Sequence, residues 1–194
     1  MPVSEEKKII AKTMATAFGG TPVVHHYWND SHSMFVDILE CFNRPYEGAV
    51  SCGTIGLSDF CVFKDSDGTD VGVEIVGGSL QKAGEYGNVL ASAAFALING
   101  KKVPYPGFIL KNIVNANSDF CPKLPHLYFS VPFIWNDGLN IKKIQNKKIG
   151  WLLAFPISEE ELNFVVENGD RKFEALMTKQ KIDIYDLSRE PINK

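Results

Sequence analysis

The segment that most restricts the fold is a strongly apolar stretch, Ile149 to Pro156, that runs directly into Ile157-Ser158-Glu159-Glu160-Glu161-Leu162. Ser158 with Glu161 forms an S-x-x-E capping box, and Ile157 with Leu162 has the spacing of a hydrophobic staple. A helix must therefore begin at Glu159, immediately behind a buried strand. It ends at Asn168-Gly169; Asp170 reads as the cap of a second helix to about Lys179, and Ile182 to Leu187 as an extended return.

The rest of the chain supplies the partners such a strand needs. Ser4, followed by Glu5 and Glu6, caps a helix whose Ile9, Ile10, Met14 and Phe18 share one face, and Gly19-Gly20 stops it. Four strand-like runs follow, Val23 to Trp28, Met34 to Cys41, Ala49 to Leu57 and Val71 to Val76, which read as an antiparallel meander. The alternation in Phe35 to Leu39 is imperfect, as expected of a strand covered on both faces. Glu85 to Asn99 is too long and too alanine-rich for a strand and predicts a buried helix ending at Asn99-Gly100. Phe108 to Val114 and Leu127 to Pro132 complete the extended segments. Without a linker, repeat or composition break, nothing forces a domain boundary within residues 1–194.

Composition removes several function classes. The longest apolar run, Val89 to Ile98, is half of the ~20 residues needed to span a bilayer. The charged first ten residues argue against a secretory signal, so a cytoplasmic protein is expected. Cys41, Cys52, Cys61 and Cys121 form no C-x-x-C pair and read as buried free thiols. The net charge of −3 is unevenly spread: residues 30–74 hold nine acidic side chains against Arg44 and Lys64. That imbalance argues against direct nucleic-acid binding and fits a basic protein partner.

Catalytic and cofactor motifs are lacking. No G-x-S-x-G elbow occurs, and Gly77-Gly78, Gly84 and Gly87 form neither phosphate-binding glycine pattern. His25, His26 and His32 lie near Asp30, but adjacent strand positions point His25 and His26 to opposite faces. Asp65 to Asp70 starts like a calcium loop yet reads more simply as a turn with Gly68 at positive φ. Asp37 and Glu74, carboxylates within apolar strands, are the one imaginable acid–base pair, with backbone or hydroxyl satisfaction the favoured reading. Lys142-Lys143 and Lys147-Lys148 read as a solvated turn, and Trp28 and Trp135 as lids on the core. No cofactor or metal is assigned.

Thr54-Ile55-Gly56-Leu57-Ser58-Asp59, Val73-Glu74-Ile75-Val76, the alanine-rich helix, Leu127 to Trp135, Gly150 to Leu162 and the ending Ile182 to Arg189 occur in one ordered series. This series resembles the suppressor-of-fused domain, and among its stand-alone bacterial members the immunity proteins (antitoxins) encoded beside LXG-type toxins. The resemblance implies that residues 1–194 form a single α+β domain with a mixed, mainly antiparallel sheet flanked by helices, no catalysis, and action by gripping another protein. The function so implied is neutralisation of a cognate toxin, with a nuclease end, by a chain that is monomeric when free. A general interaction module with an endogenous partner is the alternative, and a metal- or carboxylate-dependent enzyme the least favoured reading. Asp65, Asp67 and Asp70 at the turn are the leading candidate contacts, followed by Asp30, Glu47 and Trp28.

Overall fold

The computed structural model describes residues 3–80, 85–115, 121–135 and 138–193. Four helices, α1 (Glu5–Phe18), α2 (Glu85–Asn99), α3 (Glu159–Asn168) and α4 (Asp170–Lys179), pack on one nine-stranded sheet. Its strands are β1 (Pro22–Trp28), β2 (Phe35–Phe42), β3 (Val50–Ile55), β4 (Val62–Lys64), β5 (Asp70–Ser79), β6 (Ile109–Leu110), β7 (His126–Ser130), β8 (Lys142–Ile144) and β9 (Lys147–Ile157). The order is β1-β2-β3-β5-β9-β7-β6, with β4 beside β5 and β8 beside β9. Among the described residues only β5 and β9 run parallel, and every other pairing is antiparallel.

Both faces of the sheet are covered. α2 packs with Ile38, Cys52, Val73, Ile75, Phe129 and Leu152 on one side. Helices α1, α3 and α4 pack with Leu39, Ile55, Val76, Tyr128, Leu153 and Phe155 on the other. Successive strand residues thus enter opposite cores, which is why these strands read as nearly continuous apolar runs. The meander is present as expected, and α2 has the predicted limits. The capping box is formed in full: the Glu161 amide donates to Ser158 Oγ at 3.1 Å and the Ser158 amide to Glu161 Oε2 at 2.9 Å.

Several local expectations need correction. The third strand stops at Ile55, because Gly56 takes φ +103° and starts a 3₁₀ turn, Leu57–Asp59. β5 continues through Gly77 and Gly78, where the Tyr86 and Tyr185 rings press so close that a Cβ would lie within 2.8 Å and 2.4 Å of them. Phe108 to Val114 contributes only the two residues of β6. Asp170 is the first residue of α4 and makes no cap; Gly169, at φ +86°, bends the chain between α3 and α4. Ile182 to Leu187 is a chain of turns, since Asp183 and Asp186 accept from the amides of Tyr185 and Ser188 and so outcompete a strand ladder. Lys142 and Lys143 lie in β8, and the turn is at Gln145, φ +53°. Gly84 and Asn136 lie outside the described residues.

Candidate partner-binding surface

Glu74, fully buried on β5, holds together the motif that follows β3. Its carboxylate accepts from Thr54 Oγ1 (2.6 Å), Ser58 Oγ (2.7 Å) and the amides of Gly56 (2.8 Å), Ser58 (3.1 Å) and Leu57 (3.2 Å). Burial pushes this carboxyl up from its ordinary value, and the hydrogen bonds from Thr54, Ser58 and Gly56 pull it back. With five donors on two oxygens and no exposed surface, Glu74 has a structural role and no route to a substrate proton. Asp37 stands on β2 with β3 between them, and it contacts His26 Nδ1 instead. The two carboxylates are thus separated by about two strand spacings, roughly 10 Å. They form no acid–base pair.

The thiols and histidines are also accounted for. All four cysteines are buried and unbridged, and burial raises each thiol pKa, that of Cys61 to about 11. Such thiols stay protonated and unreactive. His25 faces Glu40 at 3.6 Å on one side of β1, and His26 faces Asp37 on the other, as alternation requires. His32 stacks on Trp28. Among the described residues no three His, Cys, Asp or Glu side chains converge as a metal site.

The knot at Glu74 fixes the base of the β4–β5 hairpin, whose tip carries the leading candidate contacts. Asp65 Oδ1 accepts from the amides of Asp67 (3.2 Å) and Thr69 (2.9 Å), and Gly68 takes φ +79°, as expected of the turn. The carboxylates are not a bare acidic patch. Lys148 of β9 reaches Asp65 at 2.5 Å and Asp67 at 3.1 Å, and Lys64 reaches Asp70 at 2.8 Å. Hydrogen bonds to Asp65, Thr69 and Lys148 hold the Asp67 carboxyl below the usual range, while Asp65 and Asp67 raise the Lys148 ammonium. Asp59 likewise lies 3.7 Å from Lys147 and 3.8 Å from Lys7. Three of the nine acids of residues 30–74, Asp59, Asp65 and Asp67, are thus paired with lysines from elsewhere in the chain, which lessens the acidity at the hairpin without removing that of the segment.

Beside the hairpin lies an apolar groove of 540 Å³ with exposed side chains on its walls. Its floor is formed by Val71 and Val73 of β5 with Gly150 and Leu152 of β9. Phe63 of β4 forms one wall; Tyr105, Phe133 and Ile141, 62%, 61% and 68% exposed, form the rest. Gly150 keeps the floor low, since a Cβ there would meet only Ile141 at 3.8 Å. Concentrated exposed apolar surface of this kind marks interaction sites. Sequence reasoning passed over these residues because they come from six separate segments. The available signal was a large apolar side chain in each polar connection, above all Tyr105 between Pro104 and Pro106.

The remaining candidates are dispersed. Trp28, 51% exposed, ends β1 and packs on Phe35, with Asp30 in the following turn. The expectation of a core lid thus fails for Trp28 and holds for Trp135, which is buried against Phe18. Glu47 is exposed in the β2–β3 turn, at the end of the sheet opposite to Asp30 and the hairpin. One compact contact cannot include all six.

Comparison with known proteins places this architecture. The family model of Suppressor of fused protein (SUFU) matches residues 34–190. Immunity protein YqcF of Bacillus subtilis (strain 168) is 38% identical over 192 residues, covering 99% of this chain and all of that protein. Among solved structures, a putative SUFU homolog from Neisseria gonorrhoeae FA 1090 superposes with a TM-score of 0.69 at 16% identity, covering 96% of each chain. Suppressor of Fused of Drosophila gives 0.65 at 11% identity, with 93% of this chain covering 49% of that one. The family model spans most of the chain and the relative is matched over its full length, so the chain belongs to the suppressor of fused (SUFU) family.

Proposed function

We propose that this chain is a cytoplasmic immunity protein that neutralises a cognate LXG-type toxin, of nuclease activity, by stoichiometric binding. The observation that carries the reading is the full-length 38% identity to an immunity protein. It is supported by the nature of the surface: an apolar groove with ring side chains on its rim, beside a hairpin tip, and buried carboxylates and thiols committed to structure. Partner atoms seated among Phe63, Tyr105, Phe133 and Ile141 supply the desolvated anchors on which tight complexes depend. In this reading Asp65, Asp67 and Asp70, at the tip of the hairpin whose Phe63 and Val71 line the groove, orient a basic toxin surface, and Trp28, Asp30 and Glu47 are secondary contacts outside that patch. The nuclease assignment rests on the acidity of residues 30–74, because a nuclease surface is basic where it holds phosphates.

The test is co-expression with the toxic C-terminal region encoded beside it. A stable one-to-one complex and restored growth are expected, both lost with Phe133→Asp plus Ile141→Asp in a chain of unchanged fold. Absence of a complex with the wild-type chain overturns the immunity reading. An intact complex with the double variant removes the groove from it.

A further inference from the structure

The opposite margin of the sheet carries a second surface. Among the described residues the sheet ends at β1, whose seven residues pair with β2 in unbroken register from Pro22–Cys41 to Trp28–Phe35. Exposed sheet edges are normally blunted by a lysine, a proline, a bulge or an inward charge, and β1 has a proline only at its first residue, Pro22. Residues 20–29 contain no Asp, Glu, Lys or Arg, and the register has no bulge. Val23 and Val24 are 41% and 47% exposed, and Trp28 stands out beside them.

The direction of the backbone groups follows from one hydrogen bond. The Asn29 amide donates inward to the Met34 carbonyl at 2.9 Å. In an antiparallel pair inward and outward residues alternate, so Tyr27, His25 and Val23 bond to β2. Val24, His26 and Trp28 then turn their amides and carbonyls to the open edge, as does Pro22, which has no amide to satisfy there. The close contacts of His26 with Asp37 and of Trp28 with Phe35 fit their place in the non-hydrogen-bonded pairs of β1 with β2, where facing side chains lie closer together.

We propose that the occupant of this edge is β1 of a second copy of this chain, added antiparallel about a two-fold axis through His25. The first half of the strand, Pro22, Val23 and Val24, is aliphatic, and the second, His26, Tyr27 and Trp28, carries rings. Two-fold pairing about His25 sets Val24 opposite His26, Val23 opposite Tyr27 and Pro22 opposite Trp28, each pair on one face. Every cross-strand neighbour is then an aliphatic–ring pair, apart from the central histidines, and aromatic–β-branched pairs are favourable. The same register lets the Val24 and His26 amides and carbonyls bond each other, and lets the Trp28 amide donate to the Pro22 carbonyl. An uncharged, valine- and ring-bearing strand is the chemistry this edge accepts, and β1 is such a strand. The pairing revises the expectation of a free monomer, and it leaves the groove open, with β2, β3 and β5 between the two surfaces. It is independent of the immunity reading.

The test uses the purified full chain and light scattering after size exclusion, up to about 100 µM, which populates any complex with a Kd below that value. The wild type is expected at twice the chain mass. Val24→Lys, which places two ammonium groups across the axis, should weaken the dimer at least about 100-fold. Val24→Pro removes an outward amide that the monomer does not use, and should give a folded monomer by circular dichroism. A wild type that stays at monomer mass overturns the proposal, as does a dimer unaffected by both variants. A monomeric wild type whose toxin protection is lost on Val24→Lys also overturns it and assigns the edge to a strand of the toxin.

Discussion

The ion pair between Glu161 and Arg189 is the most demanding test of how the C-terminal segment is held. Glu161 is fully buried and Arg189 nearly so. The guanidinium donates to Glu161 Oε1 at 2.6 Å and Oε2 at 2.9 Å, to the Pro156 carbonyl at 3.0 Å and to the Glu190 carbonyl at 3.2 Å. The carboxylate also accepts from the amides of Ser158 (2.9 Å) and Ile192 (3.0 Å). One side chain therefore caps α3, binds Arg189 and ties down the chain at Ile192. Arg189→Met keeps the apolar stem and deletes the charge, leaving a buried carboxylate with two amide donors; removing one partner of such a pair costs about 3–5 kcal/mol. For a domain of this size each kcal/mol lowers Tm by roughly 2–4 °C, so a fall of roughly 6–20 °C is expected. Urea unfolding, read as a shift in midpoint at constant m, measures the same loss. The double variant Glu161→Gln, Arg189→Met should lose about 1–3 kcal/mol less than the sum of the singles, because it removes the stranded charge. A loss below about 1 kcal/mol for Arg189→Met, or strict additivity, refutes the reasoning.

Three further outcomes are expected. Asp65→Asn, Asp67→Asn and Asp70→Asn together should slow toxin association and flatten its salt dependence, read by stopped flow across ionic strength; since Lys148 and Lys64 already offset these charges, the change should stay within about tenfold. Gly56→Ala places a Cβ 2.8 Å from Lys7 Nζ at φ +103°, and should destabilise by about 1–3 kcal/mol in urea. Glu74 has a raised pKa in the fold, so its favourable contribution is complete at and below the ordinary carboxyl value and is lost as pH rises through the raised one. The nontitrating variant Glu74→Gln should therefore show a flatter fall of stability with pH in that window, and identical slopes would contradict the assignment.

How much of this was legible in the sequence depended on how local each determinant is. Ser158 and Glu161 cap α3 within four residues, and α2 is set by its own alanines and leucines, so both emerged with correct limits. The meander was legible because its turns carry their own signals, such as Asp65 with Gly68. Glu74 was correctly placed as a structural carboxylate, although its partners Thr54 to Ser58 lie 16 to 20 residues away. Non-local pairings were not legible. Nothing near Asp65 in sequence announces Lys148, 83 residues distant, and without that lysine the hairpin tip looks far more acidic than it is. Arg189 gives no sign of Glu161, and the groove exists only once six segments meet. The segment Ile182 to Leu187 was misread for a local reason: its apolar alternation suggested a strand, while Asp183 and Asp186 turned the backbone against one.

The balance of charge and apolar surface decides how a neutralising complex can be held. Protection against a toxin calls for a nanomolar or tighter Kd, about −12 kcal/mol. The paired carboxylates at the hairpin tip contribute little of this, since exposed ion pairs are worth about 0–1 kcal/mol and these have cations already. Burying the large side chains of the groove offers more, about 1.5–3 kcal/mol each for Phe63, Tyr105, Phe133 and Ile141 before the cost of association. Four such anchors supply roughly 6–12 kcal/mol, so the groove can carry most of the affinity only if the partner fills it and its rim adds contacts toward the ~800 Å² of a standard interface. It follows that the two parts of the surface separate kinetically. Substitutions in the groove should act on dissociation, and substitutions of Asp65, Asp67 and Asp70 on association. A toxin complex whose lifetime depends on those three carboxylates, while Phe133→Asp leaves it unchanged, would reverse that division.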